Sequence, residues 1–281
     1  MTPHSSGDVG WVLWAGTVGL DSPLPARMEA AVAGGFDRLS LGPLDVEVAR
    51  EAGIAVEDLG RRIRDAGLGV VFDPVMGWYS DEPGPGPYAK FRIDELLKMA
   101  EGLGAAALTV LGPFSKGEAT PADLQERFAL LCDRAGDFGA QVQVEFMPFT
   151  VVGDVGSAWS LVEGAGRDNG GLVVDTWHFF RGNPDLAALE AVPGDRVFAV
   201  QVADADPVPR GSLSEDTFHR RLPGDGALDL MAVMGALDRM GALRWVGPEV
   251  ISPETAALGP LDAARLAGER VRALVAAVRA R

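Results

Sequence analysis

Four residues with oxygen-bearing side chains fall in the second half of the chain: Glu145, Asp175, Gln201 and Glu249. Each lies at or near the end of a short apolar run, in QVQVEF, GLVVD, FAVQVAD and WVGPEVI. Along a strand, side chains alternate between faces, so parity says which way a polar residue points. Val142, Val144 and Phe146 share one face and Glu145 takes the other; Leu172 and Val174 oppose Asp175. Phe198, Val200 and Val202 oppose Ala199, Gln201 and Ala203, and Val246 and Val250 oppose Glu249. Three carboxylates and one amide brought together away from water repel one another and drive their pKa values up, unless a cation neutralises them. An all-oxygen set of this kind suits one hard divalent ion, Mg²⁺ or Mn²⁺ first and Co²⁺ after them. The alternative is a basic side chain that pairs the acids within the core. Apart from Arg38, the strand-like runs contain none, so the expectation is a metal.

Other residues stand close enough in sequence to join the chemistry. His178 follows Asp175 by three positions in Asp-Thr-Trp-His and is expected to contact substrate or to steady a metal ligand. Arg221, in RRLPGDG, offers a guanidinium for a hydroxyl, carboxylate or phosphate. His219 is a weaker candidate, and His4 is assigned nothing. Trp14, Trp78, Phe149 and Trp177 fall at or just past strand ends, where an aromatic face can stack on a sugar-like ring or serve as packing. Trp14 and Trp177 are taken as substrate contacts. The one cysteine, Cys132, excludes an internal disulfide and a cysteine metal site, and reads as a buried thiol.

The elements that must hold these groups are eight strand-like runs: WVLWA near residue 11, RLSL near 38, GVVFD near 69, ALTVL near 107, and the four already quoted together with their partners near 142, 171, 198 and 245. Longer amphipathic segments separate them, with helix starts marked by Thr120-Pro121-Ala122-Asp123 and Asn183-Pro184-Asp185. Eight strands alternating with helices predict a single (β/α)₈ TIM barrel over 9–281, preceded by a flexible tail at 1–8. Two connections are long and irregular, DPVMGWYSDEPGPGPYAK after the third strand and Asp204 to Asp225 after the seventh. Both follow strand C-termini, the face on which barrels build their sites.

A net charge of -15 argues against a nucleic-acid partner. No apolar stretch is long enough to span a bilayer and the first residues do not look like a secretion signal, so a cytoplasmic protein is expected. Phosphate-binding loops, dinucleotide fingerprints and serine-hydrolase elbows are absent from the sequence. The apolar C-terminal segment ALGPLDAARLAGERVRALVAAVRAR either closes the barrel or pairs two chains as a homodimer.

Through nearly its whole length, and most strongly from Gln141 to Ser252, the chain resembles the sugar phosphate isomerase/epimerase superfamily with the xylose-isomerase-like TIM barrel. The resemblance rests on Val-Glu-Phe at Glu145, Val-Asp-Thr-Trp-His at Asp175, Val-Gln-Val-Ala-Asp at Gln201, Arg-Leu-Pro-Gly-Asp-Gly from Arg221 and Gly-Pro-Glu-Val at Glu249. It implies one divalent ion on Glu145, Asp175, Gln201 and Glu249, with Glu145 and Glu249 acting also as acid and base on a sugar-like hydroxy-carbonyl compound. Through an enediolate, such a pair epimerises or isomerises; loss of a β-hydroxyl instead makes the reaction a dehydration. Gln201 stands where many of these epimerases have histidine and is similar to the dehydratase branches, among them the 3-dehydroshikimate dehydratases. Met147 stands where those dehydratases carry histidine. A nuclease of the same fold would be expected to be rich in histidine, and a non-catalytic sugar-binding subunit would not need the acid set.

Overall fold

The computed structural model describes residues 8–82, 84–115, 117 and 119–281. His4 and all but the last residue of the expected tail lie outside the described residues. Strands β1 (Gly10–Leu13), β2 (Arg38–Leu41), β3 (Gly69–Val75), β4 (Ala107–Leu111), β5 (Gln141–Glu145), β6 (Gly170–Asp175), β7 (Val197–Val202) and β8 (Trp245–Pro248) each coincide with one of the expected runs. They close in sequence order into a parallel barrel, with β1 paired to both β2 and β8.

The parity rule explains how the barrel packs. Val142, Val144, Leu172, Val174, Val200 and Val246 all join the large core between the strands and the helices. A separate small cluster of Val12, Trp14, Val71, Ala107, Val173 and Ala199 fills the barrel interior. At the N-terminal ends of the strands this inner layer is closed by Trp245, with the Arg38 guanidinium 3.4 Å from its ring centre. Burial pulls Arg38 down to about 10. The one cation of the strand runs therefore sits at the opposite end of the barrel from the acids. Gly247 has no room for a side chain, since a Cβ there would lie 1.7 Å from the Val12 carbonyl oxygen. That bare position lets β1 and β8 close the barrel.

Helix starts follow local chemistry. The helix Pro121–Gly136 opens on Thr120, whose hydroxyl accepts from the Asp123 amide, and Leu186–Glu190 opens on Asp185, which accepts from the Ala188 amide. Cys132 is fully buried on the first of these, and burial followed by the charge of Asp133 pushes its thiol up to about 12. The last helix, Pro260–Arg279, packs against the first, Leu24–Ala33, and against β8, so the apolar C-terminal segment closes the barrel.

One boundary differs from the sequence expectation. β3 continues through Asp73 and Pro74 to Val75, with a register shift against β4 between Phe72 and Val75. The long third connection begins only after it.

Candidate metal centre

The C-terminal ends of β5 to β8 carry the four predicted ligands, and register brings two of them side by side. Asp175 pairs with Gln201 across β6 and β7, while Glu145 lies opposite Val173. Glu249 follows the end of β8, where the Thr17 hydroxyl donates to the Pro248 carbonyl at 2.7 Å and accepts from the Val250 amide at 3.1 Å. A second hydroxyl clip, Thr176, donates to the Ala203 carbonyl at 2.7 Å and accepts the Ala203 amide at 2.9 Å. These clips replace ladder hydrogen bonds where the strands diverge, and they fix the backbone on either side of the acids.

The spacing Asp-Thr-Trp-His has a simple physical origin. Asp175 caps the short helix Thr176–Arg181, its Oδ1 accepting from the His178 amide at 2.9 Å. A cap and the third helical residue lie on the same side of the first turn, so His178 is delivered to the mouth beside its own cap. Its Nε2 sits 3.3 Å from Glu145 Oε1. Candidate ligand atoms of Glu145, Asp175 and His178 all lie within 4.8 Å of one another, the one such acid and histidine group among the described residues.

Gln201 is fully buried, and neither its amide oxygen nor its nitrogen has a hydrogen-bond partner. A buried primary amide left so costs about 1–3 kcal/mol. An electropositive ion beside the Asp175 carboxylate would satisfy its oxygen, so the donor set fits a divalent cation on chemical grounds.

The basic partner missing from the strands arrives from a loop. Arg220, 2% exposed, extends Nη1 to Asp175 Oδ2 at 2.7 Å, to Glu249 Oε2 at 3.1 Å and to the Glu249 carbonyl at 3.0 Å. Nη2 reaches the Thr217 hydroxyl at 3.2 Å and lies 3.5 Å from His178 Nε2. The expectation that no cation pairs these acids is thereby corrected. Strand parity does not see a side chain that enters from a loop. The loop itself is firmly held. Asp204 and Arg221 form an antiparallel bridge through their backbones, and the Arg220 amide donates to the Ile251 carbonyl at 3.1 Å. Asp204 accepts the amides of Gly224, Gly226 and Leu228 at 3.0, 3.1 and 3.0 Å.

This arrangement divides the carboxyls electrostatically. Burial alone would raise Asp175, but the Arg220 guanidinium and His178 beside it bring it down to about 2. Burial, opposed by Arg220, and the charges of Glu145 and Asp175 push Glu249 well above the usual carboxyl range. The same surroundings thus favour the ionised form of Asp175 and disfavour that of Glu249.

The remaining predicted residues fall in different places. Arg221 lies outside the cluster, with Nε and Nη2 on Asp206 at 3.0 and 3.1 Å. The adjacent Arg220 takes the inward position. Trp177 is fully buried under the cluster among Ala203, Ala205 and Val250, with the Arg220 guanidinium 5.2 Å from its ring centre. Trp14 belongs to the inner apolar layer. Trp78 donates to the Leu111 carbonyl at 2.7 Å and packs edge-on against Phe128, which places it in the helix layer. Phe149 stands edge-on to His178 at 6.0 Å and stacks on Phe114 at 6.4 Å, forming a wall beside the histidine. His219 is half-buried away from these contacts. Besides Arg220, the sequence reading missed Asp73, a further acid near Glu145. It shares the parity of the inward Val71, two residues before it in β3.

Residues 28–275 match the family described as xylose isomerase-like TIM barrel. The chain belongs to that family. It is 32% identical over 147 residues to inosose isomerase of Bacillus velezensis, covering 52% of each chain. It is 26% identical over 230 residues to 3-dehydroshikimate dehydratase of Pseudomonas aeruginosa, covering 80% of this chain and 36% of that protein. The chain thus spans about half the length, or less, of these curated relatives. Among solved structures, the protein designated IOLI, which contains a zinc atom, superposes with a TM-score of 0.82 at 20% identity, covering 96% of this chain and 99% of that one. L-ribulose 3-epimerase superposes with a TM-score of 0.71 at 17% identity, covering 97% and 96%. These relatives are isomerases, epimerases and dehydratases, and the structural likenesses establish the shared fold. Among the described residues no helix is long and apolar enough to cross a membrane.

Proposed function

We propose that this chain is a divalent-metal-dependent isomerase or epimerase acting on a sugar-like hydroxy-carbonyl compound, with Glu145 and Glu249 as its acid and base. The observation that carries the reading is the buried, wholly unpartnered Gln201 amide beside the Glu145, Asp175 and His178 donors. Glu145, Asp175, Gln201 and Glu249 would hold the ion, Mn²⁺ or Mg²⁺ by the hardness of their oxygens, with His178 within reach of the same position. Bound there, a divalent ion would draw electron density from a carbonyl and an adjacent hydroxyl and so acidify the C–H bond between them.

The chain's own groups supply the rest. Glu145 takes the proton from that carbon, and His178, 3.3 Å away, steadies its carboxylate. Glu249, whose carboxyl is raised by burial and by its acidic neighbours, would return a proton, to the opposite face for epimerisation or to the neighbouring carbon for isomerisation. Arg220 lies against Asp175 and Glu249, where its remaining N–H groups orient a substrate oxygen.

A second reading, dehydration of a cyclic polyhydroxy ketone or keto-acid, is favoured by the neutral Gln201 and by the dehydratase relative that matches 80% of the chain. In that case Glu249 gives its proton to the leaving hydroxyl. Both readings share the first proton abstraction, so one experiment tests them. The purified chain, stripped of metal and then reloaded with Mn²⁺ or Mg²⁺, is incubated in D₂O with ketoses, inososes and keto-acids and followed by NMR. Deuterium at the carbon beside the carbonyl, dependent on the ion, is expected. Exchange that survives complete metal removal overturns the reading. Retention of every hydroxyl separates isomerisation and epimerisation from loss of water.

A further inference from the structure

The short helix Thr176–Arg181 meets the loop after β7 at both of its ends, and each meeting is a buried ion pair. At its start, Asp175 on the helix side takes Arg220 of the loop at 2.7 Å. At its end the charges are exchanged: Arg181 on the helix donates Nε to Asp216 Oδ2 of the loop, again at 2.7 Å. Outside the acid cluster this is the one ion pair among the described residues with both side chains under a tenth exposed, at 7% and 2%. Desolvation of both groups offsets much of their attraction, so such a pair adds little net stability. Two pairs of opposite sense do fix an alignment. A slip that exchanged the partners would set arginine against arginine and aspartate against aspartate.

Arg181 also gathers the loop. Its Nη2 donates to the Asp206 carbonyl at 2.8 Å, while the second oxygen of Asp216 accepts the Arg210 amide at 2.7 Å. A planar guanidinium can donate in these two directions at once, and an ammonium in their place could not match both. The helix end that carries Arg181 is held in turn, since the Gly182 amide donates to the His178 carbonyl at 2.9 Å. From Asp216 the chain passes directly to Thr217, whose hydroxyl accepts from Arg220 Nη2 at 3.2 Å. The other nitrogen, Nη1, rests on Asp175 and Glu249, two of the groups proposed to hold the ion. Whatever keeps Arg220 inward therefore competes with the ion for those carboxyls.

We infer that Arg181 is a positioning residue: through Asp216 it holds the loop so that Arg220 lies against Asp175 and Glu249, and it thereby sets how tightly the centre takes a divalent ion. The inference rests on the proposed function and names a group outside the cluster that tunes its metal affinity.

The test reads metal binding on the full chain. Two variants are compared with the parent: Arg181→Met, and Arg181→Met combined with Asp216→Asn, which removes both charges and keeps an acceptor for the Arg210 amide. Each is checked for a cooperative melt and titrated with Mn²⁺ against a chelating indicator. Both are expected to bind Mn²⁺ about three- to tenfold more tightly than the parent, because Arg220 is no longer held inward. On an Arg220→Met background the same changes should alter affinity by less than about twofold, since the group they act through is gone. Loosening of the fold alone would weaken binding on both backgrounds, so the sign separates positioning from a merely structural role. Unchanged or weaker Mn²⁺ binding by the folded combined variant, or an equal gain on the Arg220→Met background, overturns the inference while the proposed function stands. A parent that binds no Mn²⁺ in the same titration removes the proposed function and this inference with it.

Discussion

Replacing Arg220 by methionine, similar in reach but uncharged, removes the one guanidinium that the metal-free cluster depends on. In the unaltered chain Nη1 lies 2.7 Å from Asp175 and 3.1 Å from Glu249, all of it shielded from water. Breaking a buried pair by deleting one member costs about 3–5 kcal/mol, because the other charge stays behind. The Asp175 carboxyl alone, held at about 2 instead of 3.8, accounts for about 2.5 kcal/mol of that. Burial and the neighbouring acids disfavour the ionised form of Glu249, so its pairing contributes less and the expected loss lies near the lower bound, about 3 kcal/mol at pH 7. In a chain of 281 residues this lowers the melting temperature by about 5 °C. The sign with pH follows from the depressed Asp175. Its stabilisation is fully present above about pH 4 and is lost as pH falls toward 2, so the metal-free parent should weaken across that window while the variant does not. Saturating Mn²⁺ supplies the missing positive charge and no longer competes with Arg220, so the stability gap between the two proteins should narrow by about 1.4 kcal/mol or more, equivalent to at least tenfold tighter metal binding by the variant. Urea unfolding with chelator and with Mn²⁺ measures both quantities. A metal-free variant as stable as the parent, or a gap that Mn²⁺ leaves unchanged, refutes the argument.

Other perturbations isolate individual groups. Glu145→Gln and Glu249→Gln should each lower turnover by about 10²-fold or more, and near-normal solvent exchange in both would remove them from the acid and base roles. Gln201→Leu deletes an amide that has no partner, so metal-free stability should hold or rise by about 1 kcal/mol while metal affinity, read by chelator competition, falls at least about tenfold. A stability loss above about 2 kcal/mol would mean that the amide is satisfied within the protein. Asp204→Ala strips the acceptor from the Gly224, Gly226 and Leu228 amides and should cost about 2–4 kcal/mol, with hydrogen exchange accelerated at those amides and not in the strands. Cys132, buried with its thiol near 12, should resist thiol reagents until the chain unfolds.

Strand parity was enough to place Glu145, Asp175, Gln201 and Glu249, because in a barrel the alternation of faces is forced by the pleat and the outer face is marked by valine and leucine. The same rule covers Asp73, which shares the parity of Val71. It escaped notice because Asp73-Pro74 also reads as the opening of a loop, and proline seldom continues a strand. Arg220 is a different case. Its direction is set by the bridge between Asp204 and Arg221, a long-range pairing that no local pattern announces. Once that bridge is known the choice between the two arginines follows. Arg221 uses its backbone on Asp204 and turns its side chain to Asp206, and the residue before it must point the other way, into the barrel.

The position of Arg220 also gives Gln201 a physical role beyond a ligand set. Three carboxyls in a closed barrel are tolerable without a metal only if some of their charge is cancelled within the protein. Arg220 cancels the charge of Asp175, and burial beside the other acids raises the Glu249 carboxyl. A histidine at position 201, able to take up a proton, would bring a second cation into a space where the guanidinium already sits 3.5 Å from His178. A neutral amide there leaves the balance undisturbed. The barrel can therefore close before any ion binds, and the unpartnered Gln201 oxygen remains available to receive one. A Gln201→His variant should accordingly show a metal-free stability that falls as pH drops through about 6.5, a dependence absent from the parent and from Gln201→Leu.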